Sequence, residues 1–425
     1  MHSKHYSKQM EKRQRIRDHT LVIGMDIGCE FNAACFMDKE GNILGRYPKI
    51  YNSRKGFDYF HTMVEQTKRK HKLTRVFIGM EPTGHYWRKI AFFAKEKGYE
   101  VRFVRTTAVR HQRELDESSP AKSDIRDAFT IGNITREGKY IDTVIEESVF
   151  RNLRTLAHVR EKTLRSSTGS THVLQAVLDD YFPELRQVFW SAKAKGLVAL
   201  LATYPFPEDI RSAGLAVVTA LLETTNNRKR EAREKAKQIY QAAAESVGLK
   251  TIGKADRVRL ATALEGVTRS AARMKDIERE IKELLKEIPV AAYIQSLPGV
   301  GPVSCGIFLG ELGNPDYFGN PRQIIKYAGY DPKEDDSGSR IGRKIISKKG
   351  RWLLRKVLFF MVLNAVQRSS FFRGYYEHKK KGLHHPLKKK EALCAVILKF
   401  IRVTFALIRD RRMFTEEINR CREAA

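Results

Sequence analysis

The chain has 425 residues, enough for two or three domains with cores of their own, and its 42% hydrophobic content excludes wholesale disorder. Lysine and arginine number 79 against 49 acids, a formal charge of +30 spread along most of the sequence. The expected partner is therefore a polyanion, nucleic acid first and anionic lipid as the plainer alternative. Five cysteines with no CxxC pair and no accompanying His cluster exclude a zinc module and read as reduced thiols of a cytoplasmic protein; no apolar run reaches the roughly 18 uninterrupted residues of a membrane span.

Residues 1–20 are basic and lack an apolar signal-peptide core, so they are expected to form a flexible arm that touches phosphates. The run Leu21-Val22-Ile23-Gly24-Met25-Asp26-Ile27-Gly28 is a buried strand that ends in a carboxylate. A second apolar run, Ala34 to Met37, is separated from Ile43-Leu44-Gly45-Arg46-Tyr47 by the turn Asp38 to Asn42, which predicts an antiparallel hairpin. After a helical segment ending near Lys70, Arg75-Val76-Phe77-Ile78-Gly79-Met80-Glu81 repeats the strand-then-acid pattern, and Pro82-Thr83-Gly84 break it. A helix from Trp87 to Lys97 and a strand from Tyr99 to Val104 continue the α/β alternation. Lys122-Ser123-Asp124-Ile125-Arg126-Asp127-Ala128 opens a helix with Ser123 as N-cap, and a spacing of three puts Asp124 and Asp127 on one face.

Two strand ends and one helix thus supply four acids, Asp26, Glu81, Asp124 and Asp127. Phosphoryl transfer uses such sets to hold two Mg²⁺ ions about 3.5–4 Å apart. Taken singly each has a plainer reading, since a strand-end Asp is commonly a solvated turn residue and a helix-start Asp complements the dipole. Their joint placement favours an RNase H-like nuclease fold. The glycine-flanked start also occurs in sugar-kinase and actin-like ATPases, but no second phosphate loop follows and the basic charge suits a polyanion better.

From residue 144 to 290 the sequence is helical in character. Met274, Ile277, Ile281, Leu284, Leu285 and Ile288 form one stripe that suits either an intramolecular bundle or an intermolecular coiled coil. Ser296-Leu297-Pro298-Gly299-Val300-Gly301-Pro302 has the composition of a helix-hairpin-helix turn, in which Gly299 and Gly301 let backbone N–H groups approach a phosphate. Farther on, Asp336-Ser337-Gly338-Ser339 leads through Arg340, Arg343, Lys348 and Arg351 into an apolar helix. Composition alone makes this a polar turn with cations placed to neutralise a phosphate.

The strings GMDIG (24–28), IGMEPTGHYW (78–87) and KSDIRDA (122–128), in this order over residues 22–138, resemble the RuvC-like domain of the DEDD-type insertion-sequence transposases, the bridge-RNA-guided serine recombinases. AGYDP (328–332) and DSGSRIGRKIISKKGRWLLRK (336–356) resemble the C-terminal transposase domain of that family, over about residues 294–410. The resemblance implies an α/β RNase H/RuvC-like catalytic domain over 21–143, a long helical, coiled-coil-like linker and oligomerisation region over 144–290, and a mainly α transposase domain over 291–425. The middle region matches only in helical character and is longer than expected. By the same resemblance Ser337 is the nucleophile that forms a phosphoserine link to DNA, with Ser339 its competitor and Ser347 a helix cap or phosphate contact. Asp26, Glu81, Asp124 and Asp127 hold Mg²⁺. The partners are donor and target DNA, a structured guide RNA and further copies of the chain as a dimer or tetramer, in the cytoplasm and on the nucleoid when acting. Two rival readings remain: a Holliday-junction-resolvase-like metal-dependent endonuclease using water, and a non-catalytic nucleic-acid-binding protein.

Overall fold

The computed structural model describes residues 2–82, 84–116, 123–142, 148–333, 345–382 and 386–416. The chain divides into two compact units, Met1–Glu146 and Glu147–Ala425.

The first unit is built on a mixed five-stranded sheet of β1 (Thr20–Asp26), β2 (Phe31–Met37), β3 (Lys49–Tyr51), β4 (Arg75–Met80) and β5 (Glu100–Phe103), in the order β3-β2-β1-β4-β5. β1 pairs antiparallel with β2 and parallel with β4, and β4 pairs parallel with β5. Being central, β1 is buried on both faces, which its unbroken apolar sequence anticipates. Alternate residues go to opposite sides. Leu21, Ile23 and Met25 join Phe36, Ile78 and Met80 under α2 (Arg54–His71) and α3 (Trp87–Glu96), whereas Val22, Cys35 and Phe77 meet Ala128 of α5 (Asp124–Arg136).

Two local expectations are shifted. The residues from Ile43 to Tyr47 do not form the second arm of a hairpin: Ile43 makes only a single bridge to Met37, and pairing resumes at β3. Gly45 adopts a left-handed φ of 104° and Pro48 has no N–H to give, so the chain bulges out before it can return to the ladder. The basic N-terminus, expected as an arm, carries α1 (His2–Gln14), which is fastened to the same unit. Lys12 Nζ donates to Tyr140 O at 2.7 Å, and Tyr140 Oη donates back to Lys12 O at 3.0 Å.

The second unit is almost wholly helical. Two long helices, α6 (Val149–Tyr181) and α12 (Lys254–Leu285), pack along each other and connect two hydrophobic cores. One core gathers the end of α6 and the start of α12 with α7 (Leu185–Val188), α8 (Lys195–Thr203), α9 (Pro207–Ala213), α10 (Leu215–Thr225) and α11 (Lys229–Ala244). The other gathers the opposite ends with α13 (Val290–Gln295), α14 (Pro302–Leu312), α15 (Pro321–Ala328), α16 (Trp352–Arg368), α17 (Ser370–Lys381) and α18 (Lys389–Arg409). The stripe at Ile277, Ile281 and Leu285 is buried inside this second core, so an intramolecular bundle consumes it. β6 (Pro332–Lys333) pairs with β7 (Ile345–Ile346) in a short antiparallel ladder; Ser337, Ser339, Arg340 and Arg343, between the two in sequence, lie outside the described residues. No helix among the described residues is long and apolar enough to cross a membrane.

Candidate active site

Parallel pairing brings the first two acids together. Met25 lies opposite Met80, and Glu81 N donates to Met25 O at 3.4 Å, so Asp26 and Glu81 leave the carboxyl ends of adjacent strands side by side. Ligands of open α/β sheets bind at such ends.

Helix α5 delivers the other two acids, and glycine decides how closely it docks. A Cβ on Gly24 would collide with the Ala128 carbonyl and the Gly132 backbone, and one on Gly79 would collide with the Thr135 side chain. With no side chains there, α5 settles directly on β1 and β4, and its first turn lies above the strand ends. Ser123 occupies the N-cap with an extended backbone, but its side chain makes no cap hydrogen bond. Asp127 is 3% exposed and Glu81 9%, both unusual for carboxylates unless something compensates them.

Asp26, Glu81, Asp124 and Asp127 line one cavity of about 600 Å³, together with Gly28, Glu30 and Arg113. Arg113, on α4 (Thr106–Asp116), sets its Nη2 2.8 Å from Asp127 Oδ1. This ion pair brings a permanent cation into an acidic cavity. Among the described residues no three His, Cys, Asp or Glu side chains are drawn together as an ion-binding group. The donor set nevertheless suits a hard divalent ion: all four groups are carboxylates lining one cavity. Arg113 and Glu30 were not singled out by the sequence. Arg113 is one of two arginines on its helix, and Glu30 follows Asp26 by four residues in a turn, so only the folded arrangement marks them.

The other candidate residues belong to the second unit. Gly299 has a φ of 79° and presses against Asn364 and Ala365 of α16, so close packing as well as the turn requires glycine there. Gly301, the N-cap of α14, faces open space. Lys348 is exposed on a left-handed residue, its N–H bonded to Gly329 O. Arg351 turns inward, donating from Nη1 to Glu311 O at 3.0 Å and lying over the Tyr327 ring at 4.9 Å; burial pulls its guanidinium below the ordinary value.

Two family models match this chain. A DEDD transposase model of the IS110 type, described as "Transposase", covers residues 23–183, and one described as "Transposase IS116/IS110/IS902 family" covers residues 291–377. Between them they take in both candidate regions and more than half of the sequence. The chain belongs to the IS116/IS110/IS902 transposase family. It is thus a DNA transposase/recombinase by class. A 44.8 kDa protein of insertion element IS116 from Streptomyces clavuligerus is 28% identical over 298 residues, which is 69% of this chain and 73% of that protein. A 43.6 kDa protein of insertion element IS110 from Streptomyces coelicolor is 24% identical over 324 residues, 75% and 78% of the two chains. The pilin gene-inverting protein of Moraxella bovis is 26% identical over 132 residues, 30% and 40% of the two.

A second cavity of the transposase, about 530 Å³, lies between α8 and α12 and is lined mainly by Leu201, Leu260, Leu264 and other apolar residues. Glu265 is the one acid in its lining.

Proposed function

We propose that this transposase cuts and rejoins DNA strands through a phosphoserine link, with Ser337 as nucleophile and Asp26, Glu81, Asp124 and Asp127 holding Mg²⁺. The observation that carries the reading is that four acids from three separate chain segments line one cavity in a chain of an insertion-sequence transposase family. We read the sheet of the first unit as RuvC-like, with domains over 21–143, 144–290 and 291–425.

When bound, a divalent ion supplies Lewis-acid polarisation of the scissile phosphodiester. Asp26 and Glu81 offer ligand oxygens from the strand ends, and Asp124 and Asp127 from the docked helix. Ser337 Oγ attacks phosphorus; the serine–phosphate bond forms, the bond to the 3′-oxygen breaks, and the serine proton ends on that oxygen. The free 3′-hydroxyl of another strand then reverses the step. The energy of the broken bond stays in the phosphoserine, so strand exchange needs no nucleotide triphosphate. Arg340, Arg343 and Lys348 balance phosphate charge, and Gly299 and Gly301 admit the DNA backbone to the turn before α14. Sequence choice falls to base pairing with a structured guide RNA, consistent with a strongly basic protein that grips backbone and shape. The active form is a dimer or tetramer in the cytoplasm, bringing the acids of one protomer to Ser337 of another. The Moraxella relative, by name an inverter of a pilin gene, supports recombination rather than simple hydrolysis. Strand cleavage assayed with Ser337→Ala and Glu81→Ala, each alone, tests the reading: full activity in either variant refutes a composite site.

A further inference from the structure

One side of α6 carries basic side chains that the chemistry above does not use. Arg151, Arg154, His158, Lys162 and Arg165 recur at spacings of three and four, forming one stripe about 21 Å long at 1.5 Å per residue. Arg154, His158, Lys162 and Arg165 are exposed. The acids that organise them lie beneath. Glu311 of α14, 2% exposed, has His158 Nε2 at 2.8 Å, Arg154 Nε at 3.6 Å and Arg351 Nη1 at 3.9 Å. Glu161, 8% exposed, takes Lys356 Nζ at 2.8 Å and Arg165 Nε at 3.4 Å.

A cluster built only to hold helices together balances its charges and buries both signs. Here both carboxylates are buried while Arg154, Lys162 and Arg165 of α6 face out, and Arg351 and Lys356, at the start of α16, reach the same acids from inside, so five permanent cations stand against two acids. Glu311 Oε1 has no aligned hydrogen bond, with His158 Nε2 2.8 Å away. The effect is to hold long side chains in place before a ligand arrives, which lowers the ordering cost of binding. Beside the stripe, at the start of α16, stands Trp352, 42% exposed, with the Arg165 guanidinium 5.1 Å from its ring and the His158 ring at 6.4 Å. An exposed indole among held cations is the pairing used for unpaired nucleotides: phosphates on the cations, a base against the ring. A duplex keeps its bases stacked inside and offers none to Trp352.

We propose that the stripe Arg154–His158–Lys162–Arg165 with Trp352 is a binding track for a single strand of nucleic acid, separate from the carboxylate cavity. The track takes backbone charge and one stacked base, so DNA and RNA share its chemistry. The test is fluorescence anisotropy of full-length protein in EDTA with labelled oligo(dT), oligo(U) and a duplex of equal length. EDTA removes the metal, so the outcome does not depend on cleavage by the four acids or on Ser337. Trp352→Ala is expected to weaken single-strand binding about tenfold, as the loss of one stacked base does, and to leave duplex binding within about twofold. Because an indole at a helix start also packs, the fully polar variant Lys162→Gln/Arg165→Gln is measured beside it. It should lower the slope of log affinity against log salt by about 1.4 for single strands, two phosphate contacts' worth. A drop with both oligonucleotides assigns the track to backbone and base in general, and a drop with one alone assigns it to DNA or to RNA. Single-strand affinity and salt slope unchanged in both variants, or an equal loss for the duplex in Trp352→Ala, overturns the proposal.

Discussion

Replacing Arg113 by Gln tests how the carboxylate cavity is kept assembled without an ion. Arg113 Nη2 is 2.8 Å from Asp127 Oδ1, with the two side chains 32% and 4% exposed. Two unit charges about 4 Å apart attract by about 4 kcal/mol at an effective dielectric of about 20. Partial exposure of Arg113 and the cost of desolvating both groups reduce the net value to about 1–2 kcal/mol. An incoming divalent ion works against that cation, so its removal should tighten metal binding by about 5–30-fold. Calorimetric titration of full-length protein with Mg²⁺ or Mn²⁺ is the assay, with Arg113→Lys, which keeps the charge, expected to stay near wild type. Before metal is added, Arg113→Gln should also be less stable by about 1–3 kcal/mol, because Asp127 stays buried without its cation. Equal or weaker metal binding in Arg113→Gln refutes the reasoning that Arg113 opposes an incoming ion.

Gly24→Ala forces α5 off β1 and is expected to cost about 1–3 kcal/mol, measured by denaturant unfolding, and to depress strand cleavage further by displacing Asp124 and Asp127. Gly301→Ala meets open space at a permissive φ of −88°, so stability should hold within about 0.5 kcal/mol while DNA affinity falls if the turn contacts a phosphate. Glu311→Gln leaves Arg154 and Arg351 without their buried counter-charge and should destabilise the protein by about 3 kcal/mol in urea unfolding. Burial pushes the Cys35 thiol up to about 11 and Cys305 up to about 12, so brief alkylation of native protein at pH 7 should label the exposed Cys29 and spare both, mass spectrometry reading the sites.

The strands that end in Asp26 and Glu81 were legible because a central parallel strand is apolar throughout and its polar terminus stands out. The docking of α5 was half legible: Asp124 and Asp127 declared one helix face, but nothing local says that Gly24, Gly79 and Gly132 let that helix approach the sheet. Ile43 to Tyr47 misled because their apolar character outweighed Gly45 and Pro48, which divert the backbone. Arg113 was invisible, since its importance lies in a contact with a residue fourteen positions away and the other arginine of its helix, Arg110, pairs with Glu114 instead. The stripe from Met274 to Ile288 was ambiguous for a physical reason, as a heptad-like face is satisfied equally by another chain or by α6 and α14 of its own. Arg351 illustrates the reverse: a basic residue in a basic segment reads as a phosphate contact, yet its guanidinium is engaged with Glu311 and Tyr327.

The most direct test of the proposed chemistry is a denaturing gel of labelled donor and target DNA incubated with the protein, Mg²⁺ and the structured guide RNA. The account predicts a protein–DNA adduct that disappears in Ser337→Ala, persists in Ser339→Ala and fails to form in Glu81→Ala. Cleaved DNA without any adduct would contradict it and assign the four carboxylates to hydrolysis by water.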